Sequence, residues 1–212
     1  MSIRESRPTG DGAHVKQTPT RLDLYGLVYI TYRGVESRSF TNSNMEKEEQ
    51  KACVIEVQNY RGNHNEYIVK ELAILDLSTD IVNYFLLKPP FPLEWLDQKS
   101  LKTYKWLFNY FHHIPWHEGF TPYRELKNIL KHYCSQYDTI YTTGLEKANW
   151  LKLLTTSTVI DYTLDKKMAT KESTTGICIG VKNSKHKYSN CALSKAYRVA
   201  SQLKKETNTG FT

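Results

Sequence analysis

Between Lys166 and Thr212 the chain carries ten lysines and arginines against two acids, Glu172 and Glu206. That balance of +8 sits within a net charge of +7, so the first 165 residues stand at −1. Lys182, Lys185, Lys187, Lys195 and Arg198 lie close together in this stretch, with Tyr188 and Tyr197 among them. Clustered cations attract phosphate backbones without reading sequence, and tyrosine rings stack unpaired bases at about 1–3 kcal/mol each. The chemistry on offer is the holding of RNA or single-stranded DNA. The same lysines also suit a solvated surface that keeps the protein dispersed.

His112, His113 and His117 surround Trp116 in YFHHIPWHEG. Three imidazoles could serve a metal or acid–base work, but Pro115 and the turn after it read as a surface loop between helices. Trp106 and Trp150 fall on apolar helix faces and read as core. The chain has no G-x-x-x-x-G-K-[ST], G-x-G-x-x-G or G-x-S-x-G, which leaves nucleotide hydrolysis, dinucleotide binding and α/β-hydrolase chemistry without their usual signatures. Cys53, Cys134, Cys178 and Cys191 are far apart and MSIRESRPTGDG lacks the apolar run of a signal peptide, so a reducing, intracellular setting, cytoplasmic or nuclear, is expected. The longest apolar stretch, around Ile81 to Pro92, is far short of the roughly 20 residues a membrane helix needs. No membrane partner is expected.

The elements that must position these residues follow from periodicity. Residues 1–21 are polar and aperiodic and read as a disordered leader. Residues 22–50 hold a strand arm, Leu22–Tyr32, and a polar linker. From Ala52, three strand patterns, ACVIEVQ, EYIVKELAILDL and DIVNYFLLK, are separated by short turn segments, which makes an antiparallel meander. Asp97 is placed to cap a helix through Phe111, and Thr121 with Pro122 to start a second one ending near Cys134. DTIYTTG reads as a strand, LEKANWLKLL as a helix, STVIDYTL as a strand. A closing helix carries Leu193, Ala196, Val199, Ala200 and Leu203 on one buried stripe. Meander first, then strands joined through helices, predicts an α/β fold with a mixed sheet and helices on both faces. The domain spans 51–204, and 205–212 read as a flexible tail.

The run from Cys53 to Leu203 resembles the ribonuclease H-like 3′-5′ exonucleases of the DEDD type, in element order and in short landmarks: YFLLKPPFP, HHIPWHEGFTPYRELKNILKHY, DTIYTTGLEKANWLKLL, VIDY and NCALSKA. In such enzymes four carboxylates hold two divalent cations roughly 4 Å apart. The resemblance places the first acidic motif at Glu56-Val57-Gln58, the second at Lys147, and the histidine and acid of the third at Asn190 and Lys195. One carboxylate, one amide and two ammonium groups then stand where four acids would. Two like unit charges 4 Å apart repel by about 4 kcal/mol at an effective dielectric near 20, so the resemblance implies a catalytically inactive pseudo-exonuclease without a Mg²⁺ or Mn²⁺ pair. In it Lys147 and Lys195, with Lys182, Lys185, Lys187, Tyr188 and Arg198, would face nucleic acid. The chain also resembles the Maelstrom domain, a relative whose Glu-Cys-His-Cys set is matched here by Glu56, Cys178, His186 and Cys191-Ala192-Leu193, though the C-x7-H gap departs from C-x2-H. That likeness implies a structural zinc. Two alternatives stay open: a divergent nuclease with weak or metal-independent cleavage, and a scaffold that grips a protein partner.

Overall fold

Two ten-residue strands, β2 (Ala52–Arg61) and β3 (Tyr67–Asp76), are buried over almost their whole length and form the centre of the sheet. Their sequences read as nearly continuous apolar runs because both faces are covered. The structure, a computed structural model, describes residues 28–30, 50–162 and 190–209. The sheet has the order β1-β4-β3-β2-β5-β6. Strands β2, β3 and β4 (Val82–Leu86) form the antiparallel meander, while β5 (Thr139–Thr142) runs parallel to β2 and β6 (Thr158–Asp161) parallel to β5. Apart from β1 (Val28–Ile30), this is a mixed sheet of order 3-2-1-4-5, the order consistent with a ribonuclease H-like fold. The expected arm thus docks through Val28–Ile30, antiparallel to β4.

Side chains alternate across β2 and so divide the core. Cys53, Ile55 and Val57 meet Leu126, Leu130 and Cys134 of α2 (Leu126–Cys134) and Ala148 and Leu151 of α3 (Leu145–Lys152). Val54, with Ala73, Leu75 and Leu86 of the neighbouring strands, meets Ala192, Leu193, Ala196 and Val199 of α4 (Ala192–Thr209). Helix α1 (Gln98–Trp106) caps the end of the sheet through Tyr60, Ile68, Leu96, Tyr104 and Trp116, and continues as a π-helical turn over Leu107–Phe111. Asp97 caps it as expected, accepting from the Ser100 N–H at 2.7 Å. Among the described residues no helix is long and apolar enough to cross a membrane.

Several expectations are corrected here. Thr121 does not cap the second helix: its N–H donates to Leu86 O at 3.0 Å and its carbonyl accepts from Lys88 N at 2.8 Å, so its backbone serves the sheet. A 3-10 turn, Tyr123–Glu125, precedes α2 instead. Helix α4 runs to Thr209, through part of the stretch read as a tail. His112 and His113 are buried rather than displayed on a loop. His112 packs edge-on against Tyr60, and its Nδ1 accepts from the Ile114 N–H at 3.2 Å. The leader 1–21 and the residues Cys178, Lys182, Lys185, His186, Lys187 and Tyr188 lie outside the described residues.

The loop after Trp116 returns to β4 through Gly119, whose φ is +142°. A Cβ there would meet Leu87 backbone atoms at 2.4 Å. Gly119→Ala is expected to cost at least about 2 kcal/mol, from the left-handed backbone alone and before the clash is counted. Urea unfolding would read the loss, and unchanged stability would show that the loop can move away.

Candidate functional site

The face of β2 and β3 beneath α4 is where the sequence breaks its apolar pattern. Glu56 and Gln58 are two residues apart on β2, and Glu71 pairs directly with Gln58 across the ladder, so the three side chains share one face. All three are buried. Charged groups in such a place need partners, and each has them.

Glu56 Oε1 accepts from the Thr143 N–H at 2.6 Å, and its other oxygen takes the Lys147 ammonium. Lys147 Nζ also reaches Thr143 Oγ1 at 2.8 Å. Gly144, with φ +94°, turns β5 sharply into α3 and so sets Lys147 within reach of the strand. Asp161 at the end of β6 accepts from the Gly144 N–H at 2.7 Å and steadies that turn.

Gln58 donates through its side-chain amide to the Asn190 carbonyl, and Asn190 Nδ2 donates to Phe111 O at 2.8 Å. The Gln58 amide and Asn190 therefore tie β2, the start of α4 and the end of the π-helical turn together. Glu71 completes this junction. Its Oε1 accepts from Tyr84 OH at 2.7 Å and Cys191 Sγ at 3.0 Å, and its Oε2 from the Ala192 N–H at 2.9 Å. A carboxylate at the first turn of an 18-residue helix also complements the helix dipole.

One turn into α4, Lys195 places its Nζ 5.3 Å from the centroid of the Phe111 ring. Burial, then the nearby Lys147 and Arg198 cations, draw the Lys195 pKa down to about 8 against the pull of Glu56 and Glu71. The site therefore gathers Lys147, Lys195 and Arg198 around Glu56 and Glu71. Glu56 with Lys147, and Gln58 with Asn190, are thus joined on this face, with Lys195 close to Lys147 and Glu56. Cys191 goes instead to Glu71, and Tyr197 is half-buried against the core under α4.

Sequence reading missed Glu71 and its neighbour Lys70. The signal was present: Lys-Glu inside the apolar run YIVKELAILD, at adjacent positions that must point to opposite faces. Lys70 is fully buried, with its ammonium donating to Leu87 O at 2.6 Å, Trp116 O at 2.8 Å and Glu118 O at 2.6 Å. Burial pulls its pKa down to about 7, although Glu118 works the other way.

These shifts set the pH dependence of folding. The folded protein releases the Lys70 and Lys195 protons near pH 7 and 8, whereas the unfolded chain keeps them to about 10.5. The unfolded state then binds more protons, so stability rises with pH across that interval. Burial pushes Cys134 up to about 11 and Cys53 higher still, from ordinary values of 9.0. Their contribution is present below pH 9 and is lost as the thiols of the unfolded chain ionise. Urea titrations across this range are expected to place maximal stability near pH 9; a steady decline from pH 7 would contradict the lysine shifts.

The chain matches no protein-family model, no curated protein and no solved structure. The class of fold therefore stands on the sheet order, and any activity on the geometry of the site.

Proposed function

We infer that this chain is a degenerate DEDD-type exonuclease-like domain that holds RNA or single-stranded DNA without two-metal cleavage. The observation that supports this is the Lys147 ammonium seated on buried Glu56 with Lys195 beside it, at the positions where the resemblance puts metal-binding acids. One carboxylate whose two oxygens are engaged by an ammonium and a backbone N–H does not fit two divalent cations. Among the described residues, no three His, Cys, Asp or Glu side chains form a group that could hold a metal. The two described members of the Maelstrom-like set, Glu56 and Cys191, are bonded to Lys147 and Glu71, so neither supports zinc. The cations Lys195 and Arg198 suit a phosphate instead, with Lys147 held on Glu56.

Incubation with labelled single-stranded RNA and DNA, with and without Mg²⁺ or Mn²⁺, tests the reading. Expected is binding that weakens with salt and shows no metal-dependent shortening. Lys195→Ala and Arg198→Ala should each lower the salt slope by about 0.7, and binding should weaken above pH 8 as Lys195 loses its proton. Metal-dependent shortening from the 3′ end would overturn the inactive reading. No binding even at low salt would favour a protein scaffold.

A further inference from the structure

The sequence placed Trp106 in the core, but the structure leaves it 56% exposed and leaves Tyr110, one turn on, 68% exposed. They are not isolated aromatics. Trp106 stacks on Phe111 at 6.3 Å with 17° between the planes, and lies 6.5 Å from Tyr110. Phe111 also carries the Lys195 ammonium over its ring. A row of rings thus leads from the buried cation cluster to open solvent. Tyr110 and Phe111 stand on the π-helical turn that Trp106 leads into, a distortion that recurs at functional sites.

The surroundings point to the occupant. From Gln98 to His117 the chain holds no Asp or Glu, while Lys102 and Lys105 are exposed beside Trp106. Exposed rings with lysines in the same acid-free segment are complementary to a strand whose bases are unpaired and whose backbone is negative. An acid-free lysine-rich flank offers nothing to a cationic partner.

We propose that Trp106 and Tyr110 form a stacking platform for an unpaired base of a single-stranded nucleic acid, with Lys102 and Lys105 on the adjoining phosphates and Lys195 at the inner end of the row. This rests on the nucleic-acid reading above and adds the subsite that takes the base. Equilibrium binding of oligothymidylate, oligouridylate and an abasic phosphodiester of equal length tests it. Trp106→Ala is expected to weaken the base-bearing strands about 5- to 100-fold, with an unchanged salt slope and unchanged abasic binding, and Trp106→Tyr to keep most of the affinity. Lys102→Ala with Lys105→Ala should weaken all three ligands and flatten the salt slope. If Trp106→Ala and Tyr110→Ala bind like the parent, or lose the abasic strand equally, the platform is overturned while nucleic-acid binding stands. If the parent binds none of the three at low salt, both fall together.

Discussion

Lys147→Met is expected to lower stability by about 3–5 kcal/mol, the range for removing one partner of a buried ion pair. Glu56 is fully buried and the Lys147 side chain only 14% exposed, so water cannot replace the lost ammonium. Thr143 N–H would still hold one oxygen of the carboxylate, but the other would lose its cation. For a chain of this size the loss corresponds to a fall in Tm of roughly 6–20 °C. A second effect separates this from loss of packing. Lys147 is the larger of the two cationic influences that lower the Lys195 pKa, so that pKa should rise when Lys147 goes. Glu56→Gln combined with Lys147→Met should recover much of the stability, because no unpaired charge remains. A double variant as unstable as Lys147→Met would mean that the pair contributes through shape rather than charge.

Lys70→Met should cost about 3 kcal/mol. Methionine keeps most of the apolar stem, yet three carbonyls on separate segments, those of Leu87, Trp116 and Glu118, would lose their donor. Each buried acceptor left unpaired costs about 1–3 kcal/mol, and relief of the buried charge offsets part of the sum. The loop bearing Trp116 and Gly119 would lose its anchor to the sheet, so amide exchange there should accelerate more than in α2. The variant should also lose part of the rise in stability above pH 7. Unchanged exchange in the loop would show that the three bonds are dispensable.

The sheet was legible because its signals are local. Alternating and continuous apolar runs marked β2, β3 and β4, and Asp97 marked the start of α1, since these depend on neighbours two to four residues away. The three positions bearing Glu56, Lys147 and Lys195 were legible only through the order of elements. Distance in sequence hid the rest. Glu71 interrupts its apolar run, but its partner is set only when α4, 121 residues later, brings the Ala192 N–H to it. Trp106 looked buried because a helical stripe of Leu101, Tyr104 and Phe108 suggested an apolar face wider than the one the sheet end covers. Thr121 had the composition of a cap, but β4 claimed its backbone first.

The junction made by Gln58 and Glu71 also orders events in time. Its bonds to Asn190 and Cys191 span 132 and 120 residues, whereas the β2–β3 hairpin closes over a turn of a few. Loops of that length close late, after local pairs have formed. The cation cluster is therefore complete only when the last helix lands, and until then Glu71 lacks its partners Cys191 and Ala192. In native-state hydrogen exchange α4 should open before β2 and β3, and each opening would dismantle the site while most of the sheet persists.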